Sequence, residues 1–119
     1  MKYFYFKDGC TRNAAACLKT AQGIRFLLLS EYFGRDLLLF EADLAEQDIP
    51  SDNGACRKLF YALQGDGRGR TYGLHVDINS LIRDVKIPEY AECLPMMHFI
   101  IRESYNTKPA DIAVKELRK

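Results

Sequence analysis

The sequence predicts an α+β fold: a single domain over residues 1–119, with a mostly antiparallel sheet of about four to five strands and two to three helices packed on one face. The 119 residues bury enough surface for one hydrophobic core but not for two. Segments with strand-like and helix-like periodicity alternate along the chain. No linker-like tract or internal repeat divides it.

The N-terminal segment is predicted to form a strand followed by a helix. Residues 2–7 are rich in aromatic side chains, which favour strands because bulky rings lose rotamer freedom in a helix. Residues 13–22 contain three consecutive alanines, the residue with the highest helix propensity, and their apolar positions share one helical stripe. Gly23 then suits the C-terminal cap of this helix.

Residues 24–44 are predicted to form an antiparallel β-hairpin. Taken alone, residues 24–33 fit either a helix or a strand, but the segment after Asp36 alternates apolar and polar residues with a period of two. Gly34-Arg35 separates the two runs, and glycine at the first central position suits a type II′ turn. The apolar residues expected to be buried are Leu38, Phe40, Ala42 and Leu44, and those expected to face solvent are Glu41 and Asp43.

The rest of the chain is predicted to alternate helices and strands. Apolar residues from Ala55 to Leu63 recur at three- and four-residue steps, which predicts a helix that stops at the glycine-rich run 65–69. Residues 71–78 alternate like a half-buried strand, with Leu74 and Val76 on the buried side. The remaining elements are a helical turn from Asn79 to Val85, a turn at 88–94, a strand at 96–102 and a helix from Pro109 to near Lys119.

The loop from Gly65 to Arg70 is the segment that most resembles a ligand site. Its glycines let backbone N–H groups converge on one point, and Arg68 and Arg70 supply charge-assisted bonds to a phosphate or carboxylate. The Gly-Lys-Ser/Thr ending of a P-loop is missing, and a helix precedes the loop where a dinucleotide fingerprint has a strand. The same composition also suits a plain, charged helix-to-strand connection.

His75 and Asp77 are a candidate catalytic pair. They lie two residues apart on the polar side of the predicted strand 71–78, close in sequence to Arg70. Histidine, which titrates near neutral pH, acts as a general base when a carboxylate orients it. The alternative is that both residues form the solvent-facing side of a half-buried strand.

An acidic stretch runs from Glu41 to Asp52 with no basic residue between them. Such a stretch presents negative potential to a basic partner, for instance an arginine-lined nucleic-acid channel. It is also typical of a solvated strand end and loop. The candidate partner-binding residues are Glu41, Asp43, Glu46, Asp48 and Asp52.

The composition predicts neither a metal site nor a cofactor. The four cysteines contain no Cys-x2-Cys spacing and are expected to be reduced thiols. The formal charge of +1 is unlike that of a protein that coats nucleic acid or anionic membrane. Because the apolar runs are short and no export signal is evident, no membrane association and a cytoplasmic location are expected.

Two functions are compatible with these features. The first is a small non-catalytic module, an inhibitor or adaptor, that binds a protein with a basic surface through the acidic stretch and an exposed aromatic or sheet-edge surface. The second is a small enzyme or binder of phosphate-bearing ligands or RNA, centred on Arg68, Arg70, His75 and Asp77. The lack of nucleophile, metal and cofactor motifs favours the first function, which needs none of them.

Overall fold

The structure, a computed structural model, describes residues 1–106 and 115–116. A short 3₁₀ turn at Glu46–Asp48 follows the fourth strand. The strands are β1 (Lys2–Asp8), β2 (Thr11–Thr20), β3 (Gly23–Tyr32), β4 (Asp36–Leu44), β5 (Arg70–Thr71) and β6 (Lys115–Glu116). The helices are α1 (Asn53–Gly65), α2 (Ile78–Val85) and α3 (Pro88–Glu103).

These strands form one antiparallel sheet in the order β5-β4-β3-β2-β1-β6. The predicted α+β class is confirmed. The helices, however, cover both faces of the sheet instead of the single face expected: α2 and α3 pack on one, and α1 packs on the other. The reason is visible in β1, where Tyr3 and Tyr5 point to the α3 side while Phe4 and Phe6 point to the α1 side. Both faces are therefore apolar and need a cover.

The helix predicted at residues 13–22 is wrong, because this segment is the central strand β2. Its three alanines are fully buried and stand opposite aromatic residues of β1, so small side chains leave room for large rings. This packing outweighs the helix propensity of alanine, about 0.7 kcal/mol or less per residue. Gly23, expected to cap the helix, begins β3 instead. The cross-strand pairs are Tyr3–Ala16, Phe4–Ala15 and Tyr5–Ala14.

The hairpin predicted at residues 24–44 is confirmed, since β3 pairs antiparallel with β4 along its whole length. Phe40 and Leu44 are buried as expected, whereas Leu38 is half-buried. The predicted turn is wrong by one position. The N–H of Arg35 donates to the carbonyl of Tyr32 at 3.0 Å, so Phe33 (φ 54°) and Gly34 (φ 72°) are the central residues of the turn. Positive φ at both is characteristic of a type I′ turn, in place of the type II′ turn expected at Gly34-Arg35.

The helix predicted before the glycine-rich run is confirmed as α1. It begins after Asp52, whose Oδ1 accepts a hydrogen bond from the N–H of Ala55 at 2.7 Å. The side chain of Asn53 ties the start of the helix to the sheet, because its Oδ1 accepts from the N–H of Tyr5 at 3.0 Å. Cys56 on the helix is buried against the aromatic residues of this face.

The strand predicted at residues 71–78 is mostly absent, because a β-bulge interrupts the pairing with β4. The N–H of Tyr72 donates to the carbonyl of Leu39, and His75 forms a bridge with Leu37. Three steps along this segment therefore match two steps along β4, and the extra residue reverses the alternation of side chains. The apolar residues that are exposed as a result, contrary to prediction, are Leu74 and Val76.

Residues 88–103 form α3 in place of the turn expected at 88–94 and the strand expected at 96–102. Pro95 lies inside this helix and removes a backbone hydrogen bond, at a typical cost of about 3 kcal/mol. The helix continues through it because a long apolar stripe packs on the sheet before and after the proline. The buried residues of the stripe are Tyr90, Cys93, Leu94, Met97, Ile100 and Ile101.

The helical turn expected from Asn79 is α2, but its N-cap is Asp77. The helix expected from Pro109 lies mostly outside the described residues. At Lys115–Glu116 that prediction is wrong, because these two residues form β6 and pair with β1. None of the helices in the described part of the chain combines the length and apolar character needed to cross a membrane.

Candidate functional site

Glu41 of β4 is the centre of a buried polar cluster. Its side chain is 3% exposed, so the expectation that it faces solvent is wrong. The Tyr90 hydroxyl donates to Oε2 at 2.8 Å, and the Tyr72 hydroxyl donates to Oε1 at 3.1 Å. Nε of Arg70 donates to Oε1 at 3.0 Å, and Nη1 of Arg25 lies 3.6 Å from Oε2. One carboxylate thus joins groups from β3, β5 and α3.

The cluster keeps its tyrosines protonated and its arginines charged. Burial, and next the hydrogen bond to Glu41, raises the pKa of Tyr90 well above its usual range, and burial beside the same carboxylate raises the pKa of Tyr72. A hydrogen bond to Tyr90 is the main cause that raises the pKa of Arg25. The hydroxyls therefore donate and Glu41 accepts. This makes Glu41 an anchor for its neighbours, not a free general base.

The glycine-rich loop after α1 lies against β4. At Gly69 (φ 86°) an added Cβ atom would be only 2.5 Å from the carbonyl oxygen of Glu41. Nη2 of Arg68 donates to the carbonyl of Asp43 at 3.3 Å, and Arg70 bonds to the Glu41 side chain. Both predicted ligand-binding arginines are therefore attached to β4, although the Arg70 side chain remains 70% exposed.

Two open cavities adjoin this cluster. The first has a volume of about 310 Å³ and lies between β3, β4 and the glycine-rich loop. The second, of about 390 Å³, extends to the β2–β3 turn and the start of α3. Arg25 and Arg70 line both cavities, and Lys86, directly after α2, lines the second. Cationic side chains from three separate elements thus converge on the second cavity.

A second buried carboxylate, Glu31 of β3, holds the other end of α3. It is 2% exposed, and Nη1 of Arg102 donates to both of its oxygens at 3.2 Å. The Tyr105 hydroxyl donates to Oε1 at 2.6 Å, and Nε2 of His98 lies 4.0 Å from Oε2. Together with Glu41 near the start of the helix, Glu31 fixes α3 across the sheet.

His98 is expected to make the stability depend on pH. Burial lowers its pKa below the usual 6.5, which outweighs the opposite effect of Glu31. Above pH 6.5 the imidazole is neutral in both states, whereas below it the unfolded chain takes up the proton first, so stability falls with decreasing pH. Urea unfolding of the wild type and of His98→Gln from pH 7.5 to 5 should show that the free energy of unfolding falls less steeply with pH in the variant. Identical slopes would contradict this.

His75 and Asp77 do not form the predicted pair. Oδ1 of Asp77 accepts from the N–H of Ser80 at 2.8 Å as the N-cap of α2. Nε2 of His75 lies 3.3 Å from Oδ2 of Asp84, also on α2, and the His75 side chain is 14% exposed. Each of the two side chains is therefore engaged with α2, and their contacts do not converge on a common point.

The acidic stretch is not one continuous surface. Glu41 is internal, and Asp52 caps α1. Asp43 is exposed but lies 2.6 Å from Nε of Arg25. Glu46 and Asp48, on the exposed 3₁₀ turn, form no ion pair with any described residue. Of the five acidic candidates, Glu46 and Asp48 are the two that have neither an ion pair nor a helix-capping role among the described residues.

An exposed apolar surface lies at the β3–β4 turn, at the opposite end of β4 from the Glu41 cluster. Phe33 at the turn is 79% exposed, and Leu74 beside it is 63% exposed. They line an open cavity of about 460 Å³ together with three residues of the hairpin. The five residues, which we call the tip surface, are Tyr32, Phe33, Asp36, Leu38 and Leu74.

Three local features create the tip surface. Of the described helices only α1 packs on this face, so Tyr32 and Leu38 near the turn remain half-buried. The bulge after Tyr72 directs Leu74 to solvent. The turn holds Phe33 in the left-handed region, which is a genuine outlier for a bulky residue. Strained residues of this kind concentrate at functional sites, and large exposed apolar patches mark interaction sites.

Sequence reasoning missed Phe33, Arg25 and Lys86. A signal existed for Phe33, since Phe33-Gly34 occupies the place where a type I′ turn prefers Asn-Gly. Arg25 interrupts an apolar run and therefore needed a buried partner, which pointed to an acidic residue on the neighbouring strand. Nothing in the sequence indicated that the residue after α2 has a left-handed backbone, because lysine is uncommon there.

Three of the four cysteines have the character of packing residues. Burial raises the pKa of Cys17 and of Cys93 to about 12, and raises that of Cys56 further, which disfavours the reactive thiolate. Cys10 is exposed, and all four cysteines are free. In the described residues no three His, Cys, Asp or Glu side chains lie close enough together to hold a metal ion.

Comparisons with known proteins add no relative. The chain matches no family model, and neither the curated proteins nor the solved structures include a significant match to it.

Proposed function

We propose that this protein is a small non-catalytic binding module that contacts a partner protein through the tip surface. The observation that carries the proposal is the conformation of Phe33, which is 79% exposed and held at φ 54°. A bulky apolar residue at such a position reduces both solubility and turn stability. A contact with a partner accounts for keeping it there.

The contacts of the polar residues that could act as catalysts support a binding role over a catalytic one. His75 and Asp77 each contact α2, and Glu41 accepts bonds from two tyrosines and an arginine. A general base needs an accessible lone pair within reach of the substrate. These three side chains are occupied with contacts that stabilise the fold.

The chemistry of the tip surface indicates the partner. Its cavity is lined by aromatic and aliphatic side chains and by one carboxylate, that of Asp36. Asp36 pairs with Arg35, but the Arg35 side chain is 79% exposed, so this ion pair contributes little and is readily exchanged. The fitting partner segment presents an apolar side chain next to a lysine or arginine. The apolar group fills the cavity, and the cation replaces Arg35 at Asp36.

Phe33→Asn is expected to weaken binding while stabilising the protein. Asn-Gly is the preferred pair for a type I′ turn, so the free energy of unfolding should rise by up to about 1 kcal/mol. Loss of an aromatic anchor should weaken binding at least about tenfold. The probe is a phage-displayed library of random linear peptides selected on the wild-type protein, with affinities of the enriched peptides measured by calorimetry.

The control for this experiment is Phe99→Gln, which removes an exposed phenylalanine from α3 and should leave peptide affinity unchanged. Asp36→Asn should weaken the enriched peptides that carry a basic residue. Peptides that bind Phe33→Asn as well as wild type would show that the tip surface is not the contact. If the enriched peptides need Phe33 but carry no basic residue, the tip surface is still the contact. The proposal that the partner presents a lysine or arginine to Asp36 would then be wrong.

A further inference from the structure

We propose that the 390 Å³ cavity between the β2–β3 turn, β5 and the start of α3 binds a small phosphate monoester, with Arg25, Arg70 and Lys86 around the phosphate. This site lies at the opposite end of β4 from the tip surface and does not depend on the function proposed for that surface. Its volume falls within the range of small-molecule sites, and most of its lining residues are polar or charged.

Both arginines line the cavity, and each has its Nε beside a carboxylate; Nη1 of Arg25 also donates to the Tyr90 hydroxyl at 3.2 Å. Glu41 accepts from Nε of Arg70, and Asp43 lies beside Nε of Arg25 on the exposed side. Arg70 forms hydrogen bonds to described residues only from Nε and Nη2, so its Nη1 group is available. Guanidinium groups held in this way are suited to charge-assisted bonds with phosphate oxygens.

Lys86 provides independent evidence because its backbone is strained. It follows α2 at φ 58°, the left-handed position that glycine usually occupies at the end of a helix. The side chain forms no hydrogen bond or ion pair with any described residue, so no internal contact compensates for the strain. A lysine kept there, at the rim of a cavity with two arginines, is explained by an anionic ligand.

The rest of the lining suggests the remainder of the ligand. Thr20, Gln22 and Glu89 also line the cavity and offer hydrogen-bond acceptors. A carboxylate such as Glu89 repels a second phosphate group but accepts hydrogen bonds from hydroxyl groups. We therefore expect a phosphorylated, hydroxyl-bearing molecule, for which glucose 6-phosphate is a suitable probe, to bind better than inorganic phosphate.

The decisive variant is Lys86→Gly, which removes the cation and relieves the strain together. Affinity for glucose 6-phosphate, followed by ¹H–¹⁵N NMR at constant ionic strength, should fall about tenfold, as expected for one charge-assisted contact. The melting temperature should rise by a few degrees, because glycine adopts this backbone conformation freely. Lys86→Arg should retain most of the affinity. The matched control is Lys58→Gly, at an exposed position of α1, which should lower the stability without lowering the affinity.

Three outcomes would overturn the proposal. The first is that sodium chloride, at matched ionic strength, shifts the amide signals of Arg70 and Lys86 as much as glucose 6-phosphate does, which would indicate charge screening alone. The second is an unchanged affinity in Lys86→Gly. The third is a lower melting temperature in Lys86→Gly, which would give Lys86 a role in the fold. Glu89→Gln separates the ligand classes, because it should weaken the sugar phosphate while leaving or improving binding of inorganic phosphate.

Discussion

Glu41→Ala is expected to lower the free energy of unfolding by about 2–4 kcal/mol, although its sequence position suggested a residue that faces solvent. The substitution removes the acceptor for the Tyr72 and Tyr90 hydroxyls and leaves the Arg25 and Arg70 guanidinium groups without their shared carboxylate. The main cost comes from the fully buried Tyr90 hydroxyl, because a buried donor left without its acceptor costs about 1–3 kcal/mol. Arg70 is 70% exposed, so its charge stays solvated and adds little to the loss. Urea unfolding at pH 7 measures the loss.

The control is Asp43→Ala, at the neighbouring acidic position on β4. Asp43 is 83% exposed, and its pair with Arg25 is screened by solvent, so the loss should stay below about 1 kcal/mol. Glu41→Gln should be intermediate, because the amide oxygen still accepts a tyrosine hydrogen bond but carries no charge. If Glu41→Ala unfolds at the same urea concentration as Asp43→Ala, Glu41 does not anchor the cluster.

The difference between Glu41 and Asp43 shows what the sequence pattern can and cannot predict. Alternation correctly placed the hairpin at 24–44, because its signal depends only on residues close together in the chain. It assigned both acidic residues to the solvent side, and one of them is internal. The burial of Glu41 depends on α3 and on β5, which are far away in sequence and whose positions no local pattern contains.

The same limit explains β2 and α3. Three alanines favour a helix locally, and they form a strand because the aromatic residues of β1 need small neighbours. The run around Met97 was expected to form a strand, yet the buried positions have helical spacing on both sides of Pro95. In both cases long-range packing outweighs a local preference of at most a few kcal/mol.

The candidate sites were less accessible to prediction than the fold. Arg70 was identified as a possible ligand residue from its glycine-rich neighbourhood, and it does line both polar cavities. Phe33 and Lys86 were not identified from the sequence; they are the two non-glycine residues with positive φ in the described chain. Each borders one of the two proposed binding surfaces. Backbone conformations of this kind are set by the turn geometry of the folded chain, so residue type alone does not reveal them.

Gly69→Ala should destabilise the protein by about 2–5 kcal/mol, which distinguishes a packed loop from a flexible connection. Two effects add. A left-handed backbone costs a non-glycine residue about 1–2 kcal/mol, and an overpacked contact costs about 1–3 kcal/mol. The added Cβ would lie 2.5 Å from the carbonyl oxygen of Glu41 and 2.6 Å from the Phe40 ring, so β4 or the loop has to move.

Gly67→Ala is the matched control for this substitution, because it isolates the backbone contribution. Gly67 has a similar φ of 68°, but an added Cβ there would meet nothing within 4 Å. Gly67→Ala should therefore lower the free energy of unfolding by about 1–2 kcal/mol, from the backbone conformation alone. Urea unfolding of both variants gives the difference between them, which measures the close approach of the loop to β4. If the two variants lose the same stability, the loop moves away from β4 at Gly69 without a measurable cost. The position of Arg70 beside Glu41 would then not depend on a glycine at residue 69.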